Sequence, residues 1–198
     1  MRRSFQTSHA LHLPRFFDAE LLQFVRTSLR RSDFADREDE GLAKERCMVL
    51  NPLLAMLMLV MNDVRLVDVI RYLTGCRPVG SFTGRIYMMH AAEHYDGWHS
   101  DVDGARLIGI SVNLTDGAFA GGRFEMRRTN GNEIEWGIAN TGPGDAILFQ
   151  ISHELQHRVT EVAGAVPRVA FAGWFQAEPC FLDVLKRGSE SAAGHEVY

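Results

Sequence analysis

The sequence predicts a mainly β protein, an antiparallel sandwich or barrel with helices at its N-terminal end. From Val79 onward, short alternating runs rich in β-branched and aromatic residues are separated by glycine-containing turns. This pattern is typical of closely spaced antiparallel strands. Within the first 75 residues, apolar residues recur every three to four positions, which is the period of a helix. We therefore expect the helices to pack on one outer face of the β structure.

Two helices are predicted in the first 75 residues. The first spans 17–29, with Asp18 near its start as the N-cap. The second follows Asn51, a capping residue that precedes a first-turn proline, and its apolar pattern continues to Gly75, where a left-handed glycine can end a helix. The polar, aperiodic segment 31–45 between them is expected to be a surface loop or a mobile segment.

Seven segments are expected to be strands, because each is short, rich in β-forming residues and bounded by turn residues. No helical segment separates them, which favours an antiparallel arrangement over a parallel α/β sheet. Their bounds are 82–89, 106–114, 122–128, 133–139, 145–151, 157–162 and 168–176.

The length of 198 residues and the mass of 22.2 kDa indicate one domain, 1–198. It is expected to contain an N-terminal helical layer (1–78), a β core (79–178) and a polar tail (187–198). The 46% apolar and 23% charged residues are ordinary for a globular protein and disfavour a disordered or coiled-coil chain.

The net charge of the chain and the length of its apolar segments indicate which partners it binds and where in the cell it lies. A net charge of -4 gives no reason to expect nucleic acid as a partner. The longest apolar run, 53–61, is far shorter than the about 20 residues that cross a membrane, and no signal-peptide core is found. The chain has an odd number of cysteines at irregular spacing, which indicates reduced thiols rather than a disulfide framework. They are Cys47, Cys76 and Cys180. We expect a cytoplasmic protein that does not bind a membrane.

The first chemical pattern is His99-x-Asp101. In a strand, residues two apart project to the same face, so an imidazole nitrogen and a carboxylate oxygen can bind one ion. A second histidine from a distant strand would complete a facial set of two histidines and one carboxylate, which leaves open positions on ferrous iron for oxygen chemistry. The pattern is short and needs support from the rest of the chain.

The second pattern, at 153–157, spells His-Glu-x-x-His. On a helix, His153 and His157 would bind zinc and Glu154 would act as the general base of a metallopeptidase. The flanking segments are β-rich, which disfavours that helix. The zinc metallopeptidase remains an alternative, and a non-catalytic barrel that binds a ligand or a protein is another.

Further short motifs lie around these two patterns in a fixed order along the chain. They are His99-x-Asp101, Val112-Asn113-Leu114, Gly121-Gly122-x-Phe124, the segment 144–149, His157, Val162, Arg168 and Trp174-Phe175. In this order, over 87–175, the chain resembles the Fe(II)/2-oxoglutarate-dependent dioxygenases of the prolyl 4-hydroxylase-like group. The resemblance implies a double-stranded β-helix, a jelly-roll or cupin-like barrel, for 79–178. It also implies Fe(II), with 2-oxoglutarate and O2 as cosubstrates.

The resemblance assigns roles to individual residues. It implies that His99, Asp101 and His157 bind iron and that Arg168 binds the far carboxylate of 2-oxoglutarate. An arginine fork suits that carboxylate because it can donate two parallel hydrogen bonds. Tyr87 and Asn113 are expected near the cosubstrate, and Trp174, His94 and Trp98 near the substrate.

The implied reaction is hydroxylation of an unactivated C–H bond of an amino-acid, peptide or small-metabolite substrate, with succinate and CO2 as coproducts. Segments 31–45 and 90–98 are expected to cover the substrate. Nucleic acid is disfavoured as a substrate, because Trp174 stands where the AlkB-like repair enzymes would carry a second arginine.

Overall fold

The computed structural model describes residues 1–139 and 142–177. Within these ranges the chain is mostly β with four helices, α1 (Arg2–Ser8), α2 (Ala19–Leu29), α3 (Pro52–Met61) and α4 (Val64–Thr74). The predicted tail at 187–198 and Cys180 lie outside the described residues. The strands are β1 (Ala10–Leu13), β2 (Phe34–Asp39), β3 (Ala43–Met48), β4 (Ser81–Met89), β5 (Tyr95–His99), β6 (Arg106–Asn113), β7 (Ala120–Gly121), β8 (Phe124–Arg128), β9 (Ile134–Ile138), β10 (Ala146–Gln150), β11 (Leu155–Val159), β12 (Val162–Ala163) and β13 (Arg168–Gln176).

Eleven of these strands form one nearly closed antiparallel sheet. Their order is β1-β10-β6-β13-β4-β3-β5-β11-β8-β9, and β2 pairs with β3 at the side. Neighbours in the sheet are mostly distant in the chain, as in a jelly-roll. The predicted mainly β, jelly-roll fold with N-terminal helices is confirmed.

The two faces of the central strands have different partners, because side chains alternate along a strand. On β13, Phe171 and Phe175 are fully buried and belong to the core that contains the helix residues Leu57 and Ile70. The alternate residues of β13 face the barrel interior. The helices therefore cover one outer face of the sheet, as expected.

The helix caps follow the sequence prediction, but the second helix is interrupted. The side chain of Asn51 accepts a hydrogen bond from Leu54 N at 3.1 Å, and Gly75 ends α4 with a φ of 77°. Between them α3 ends at Asn62, and Asp63 caps α4. The buried Asn62 amide bonds with the backbone N and O of Phe82 instead of continuing the helix. A single helix to Gly75 was therefore wrong.

The segment 31–45 is not a loop. It contains β2 and the first half of β3, which form a hairpin with Gly41 at its turn (φ 74°). Every β2 residue after Phe34 is exposed, so no apolar alternation marks the strand. β1 was missed as well, which means that the predicted helical layer 1–78 also supplies three strands to the sheet.

None of the four described helices combines the length and the apolar character that a membrane span requires.

Replacing Gly173 by alanine should lower the free energy of unfolding by about 1–3 kcal/mol, the usual cost of overpacking. A Cβ there would clash with the carbonyl oxygen of Thr83 and with Gly84 on the paired strand β4. Urea denaturation measures the effect. Gly131→Ala is the matched control, because its nearest neighbour would lie 3.7 Å from the added Cβ. Equal midpoints for the two variants would contradict the expectation.

Candidate active site

Three potential metal ligands converge inside the barrel. His99 ends β5 and pairs across the sheet with His157 of β11. The sequence predicts Asp101 in a strand, but the residue lies in a loop, two residues beyond β5. Ligand atoms of the three side chains all lie within 4.8 Å of one another. Asp101 Oδ2 is 3.3 Å from His157 Nε2, and Asp101 Oδ1 is 3.7 Å from His99 Nε2.

Neighbouring groups orient these side chains. His99 Nδ1 bonds to the carbonyl oxygen of Gly97 at 2.8 Å. Because a carbonyl can only accept, this bond assigns the proton to Nδ1 and leaves the Nε2 lone pair free for a metal. The indole N–H of Trp174 donates to Asp101 Oδ2 at 2.7 Å. The donor set therefore fits a divalent iron held on one face by two imidazoles and a carboxylate.

The carboxylates of this region have opposite pKa shifts. Burial works to raise the pKa of Asp101, but hydrogen bonds with His157 and Trp174 and the nearby imidazoles outweigh it, so the pKa lies below its usual value. Asp101 is therefore ionised at neutral pH, the form that binds a cation. Burial raises the pKa of Asp96, whose Oδ1 lies 3.4 Å from His99 Nδ1.

The triad borders a cavity of about 420 Å³. That volume falls in the range of small-molecule sites. Ala172 and Gly173 of β13 line it, and their small side chains leave room between the strands. Trp174 forms another part of the wall, as the sequence predicts. The cavity therefore has space for a small organic ligand beside the triad.

Arg168 begins β13 and is 2% exposed. Its guanidinium donates to the hydroxyl of Tyr87 at 2.5 Å and to Oγ of Ser111 at 3.1 Å. Tyr87 and Ser111 line the cavity. A third acceptor, Met89 Sδ at 3.9 Å, is neutral like the two hydroxyls, and no described acidic side chain forms an ion pair with Arg168. A buried cation of this kind can bind the carboxylate of a ligand.

Arg168 contacts Tyr87 and Ser111 of the cavity wall but does not line the cavity itself, and three further predicted site residues also lie off the wall. Asn113 is buried, and its amide accepts from Thr115 N and donates to the carbonyl oxygen of Gly142, so it braces loops at the end of β6. His94 Nδ1 accepts a hydrogen bond from His90 N, four residues earlier. These side chains have local partners that the linear sequence does not reveal.

Trp98 is the third of these residues. Its ring lies under the guanidinium groups of Arg127 and Arg158, at 4.1 and 4.6 Å from the ring centroid. It follows Gly97 and precedes His99, so it projects to the opposite side of β5 from His99.

Sequence reasoning missed several residues of the cavity wall. Ser111 lies two residues before Asn113 on the same face of β6, and Arg85 lies two residues before Tyr87 on β4. The period of a strand could have indicated both. The hairpin of β2 and β3 also contributes to the wall, and its role as a cover for the substrate stays a prediction. Its lining residues are Arg37, Asp39, Leu42, Ala43 and Glu45.

The His-Glu-x-x-His pattern does not lie on a helix. His153 and Glu154 are exposed residues before β11, whereas His157 is buried within that strand. Glu154 pairs with Arg128 at 3.2 Å. A zinc site that needs both histidines on one helical face is therefore not formed.

Comparisons with known proteins agree with this geometry. The model of the 2OG-Fe(II) oxygenase superfamily matches residues 84–176. This region contains all three residues of the triad as well as Tyr87 and Arg168. No curated protein matches the chain.

Solved structures share the fold at low identity. A Pseudomonas putida prolyl-4-hydroxylase has a TM-score of 0.69 and 19% identity, over 89% of this chain and 97% of that chain. A Trichoplax adhaerens prolyl hydroxylase in complex with a hypoxia inducible factor peptide fragment has a TM-score of 0.59 and 14% identity, over 88% and 86%. EvdO2 from Micromonospora carbonacea, complexed with 2-oxoglutarate, has a TM-score of 0.61 and 14% identity, over 90% of each chain.

The superfamily match and the His-Asp-His cluster together assign Fe(II) as the metal, with 2-oxoglutarate and O2 as cosubstrates. Over residues 84–176 the chain carries a domain of the 2OG-Fe(II) oxygenase superfamily, and it is a 2-oxoglutarate-dependent dioxygenase.

Proposed function

We propose that this dioxygenase hydroxylates an unactivated C–H bond of an amino-acid, peptide or small-metabolite substrate and releases succinate and CO2. The observation that carries the proposal is the convergence of His99, Asp101 and His157 beside a cavity of about 420 Å³. The cavity can hold a small ligand next to the metal ligands. Prolyl hydroxylases among the solved structures of this fold make amino-acid and peptide substrates plausible.

In this proposal His99 Nε2, His157 Nε2 and a carboxylate oxygen of Asp101 hold the iron. Three protein ligands would leave the metal accessible to 2-oxoglutarate and O2. Bound iron, 2-oxoglutarate and O2 together supply the oxidant for the C–H bond. The protein contributes orientation, since Trp174 and Gly97 hold Asp101 and His99 in place through hydrogen bonds.

Arg168 and Tyr87 are proposed to hold the cosubstrate. The Arg168 guanidinium binds the far carboxylate, and the hydroxyl of Tyr87, now 2.5 Å from Arg168 Nη1, helps to position it. Ser111, which bonds the same guanidinium, takes the place that sequence reasoning gave to Asn113. A pair of N–H donors held in one plane binds a carboxylate in one orientation.

Aromatic side chains shield the metal ligands from water. His157 packs against Phe124 and Phe149, with ring centroids 5.5 and 4.5 Å away. Water that reached the reacting centre would compete with the substrate for the oxidant, so an apolar wall favours productive turnover.

The cytoplasmic location remains a prediction. It rests on the odd number and irregular spacing of the cysteines, which suit reduced thiols.

Labelled oxygen tests the proposal. Under ¹⁸O₂, with Fe(II) and 2-oxoglutarate, the succinate released should contain one labelled oxygen atom, because one atom of O2 enters succinate and the other enters the substrate. Mass spectrometry of the succinate measures this. Unlabelled succinate, or none, would refute the proposed reaction.

Glu154→Gln should leave both iron content and succinate release within about twofold of wild type, as expected for an exposed surface substitution. Glu154 pairs only with the exposed Arg128 in the structure described above. A metallopeptidase would instead lose its general base. Succinate release and peptide hydrolysis, measured side by side, separate the two enzymes, and loss of peptide hydrolysis in the variant would favour the peptidase.

A further inference from the structure

The cavity contains guanidinium groups that the proposed reaction does not use. Arg85 lies on β4, two residues before Tyr87 and on the same face, and Arg106 begins β6. Both are close to the ring of Trp174, with guanidinium carbons 5.2 and 3.8 Å from the ring centroid. The indole therefore lies between two cations on the cavity wall.

These cations are not neutralised by the acidic residues that contact them. Arg37 and Arg85 both pair with Oε1 of Glu45, at 3.0 and 2.8 Å, so two positive charges share one carboxylate. Arg106 pairs at 3.3 Å with Asp103, whose side chain is 75% exposed. Water screens such a pair, and it does little to neutralise the cation.

The other acidic residues of the cavity wall do not form ion pairs with Arg85 or Arg106. Asp96 and Asp101 both contact His99, and Asp101 belongs to the proposed metal site. Asp39 is exposed. With Asp101 assigned to the metal and Asp103 exposed, the part of the cavity beside Trp174 has two guanidinium groups, of Arg85 and Arg106, and one buried carboxylate, of Glu45.

Arg85 also has hydrogen-bonding capacity that the protein does not use. Its Nε is buried and has no hydrogen-bond partner among residues 1–139 and 142–177. Buried polar groups nearly always have a partner in folded proteins. Glu45 binds only one edge of the Arg85 guanidinium. The Arg85 side chain lines the cavity, and 30% of its surface is exposed. An anionic ligand would complete its hydrogen bonding.

This group of cations is separate from Arg168. Along the antiparallel pair of β13 and β4, Arg168 lies opposite Met89, and Ala172 lies opposite Arg85. Four residues of strand separate the two backbone positions, about 13 Å along the sheet, and both guanidinium carbons lie near the Tyr87 ring, at 6.0 and 5.3 Å from its centroid. Arg168 is therefore free to bind the cosubstrate while a second anion occupies the cavity beside Arg85.

Trp174 connects the cationic group to the proposed metal site, because its indole N–H bonds to Asp101 at 2.7 Å. We infer that the substrate carries a free carboxylate, which Arg85 binds beside Trp174 while Arg106 adds positive charge on the other side of the indole, so that carbons a short distance along the substrate lie near the metal. This inference rests on the proposed function and narrows its substrate class. It favours a free amino acid or another small carboxylic acid over an internal residue of a peptide, which presents amides there.

Hexanoate and hexanamide test the inference, since they differ in charge at one end only. The protein is titrated with each, in the presence of Zn(II) and saturating 2-oxoglutarate, so that the cosubstrate site is filled and no turnover occurs. The reporter is the NMR signal of the Trp174 indole N–H, assigned with the Trp174→Phe variant. Wild type should bind hexanoate about tenfold or more tightly than hexanamide, as expected for a charge-assisted hydrogen bond.

The Arg85→Met variant should lose this preference, and Arg85→Lys, which keeps the charge but not the planar fork, should retain part of it. Arg127→Met is the matched control, because Arg127 contacts Gln156 and Trp98 away from the cavity wall. Equal binding of the two probes by wild type, or an unchanged preference in Arg85→Met, would overturn the inference. Failure of the proposed reaction appears separately, as absence of labelled succinate from wild type.

Discussion

The Asp101→Ala variant should lose iron binding and more than about 100-fold of its succinate release. Removing an outer partner of a metal ligand commonly costs 10–100-fold, and loss of a ligand itself should cost more. The substitution also removes the negative charge between His99 and His157, whose ring centroids are 4.3 Å apart, and leaves the Trp174 indole N–H without its acceptor. Iron content after anaerobic reconstitution, measured together with turnover, checks the result.

Asp103→Ala is the control for Asp101→Ala. It removes the same charge two residues further along the loop, but Asp103 is exposed and pairs only with Arg106. Its iron content should equal that of wild type. If Asp101→Ala also retains a full complement of iron, the ligand assignment is wrong.

The Arg168→Gln variant should raise the concentration of 2-oxoglutarate needed for half-maximal turnover by about 10–100-fold, because hydrogen bonds to charged groups contribute about 1.5–3 kcal/mol. Arg168 is 2% exposed and aligned by Tyr87 and Ser111, so no nearby water replaces it. Titration of 2-oxoglutarate under steady-state turnover and direct binding by calorimetry measure the effect. The 2-oxoglutarate concentration that Arg168→Lys needs should lie between those of wild type and Arg168→Gln, since lysine keeps the charge without the planar fork.

Arg158→Gln provides the comparison for Arg168→Gln. Arg158 lies on β11, next to His157 in sequence, but its guanidinium bonds to Glu125. Its alternation with His157 directs it away from the triad. An increase in the 2-oxoglutarate requirement that is equal in both variants would show a general loss of structure and contradict the assigned role of Arg168.

The sequence predicted the central strands well because one face of each packs on the helices. β13 was predicted at its observed bounds, since its large apolar residues, such as Phe171 and Phe175, alternate with small or polar ones. The hairpin of β2 and β3 lacks this signal. β2 is an exposed edge strand whose pairing with β3 depends on backbone hydrogen bonds, and the sequence pattern records side chains only.

The triad was predicted more fully than the residues around it. His99, Asp101 and His157 form a cluster in the structure, and the order of motifs was sufficient to find them. The resemblance pointed to Asn113, whereas Ser111, on the same face of β6, is the residue that lines the cavity. Only the position of the loop that contains Gly142, to which the Asn113 amide bonds, decides between them. Contacts of this kind depend on the packing of distant segments.

The most direct test of the central claim is the release of succinate from 2-oxoglutarate by the purified metal-free protein, with and without added Fe(II) under air. No substrate is required if turnover is uncoupled. The account predicts succinate that appears only with Fe(II), persists in Glu154→Gln and disappears in Asp101→Ala. Succinate release that is independent of Fe(II), or unchanged in Asp101→Ala, would contradict an iron centre at His99, Asp101 and His157.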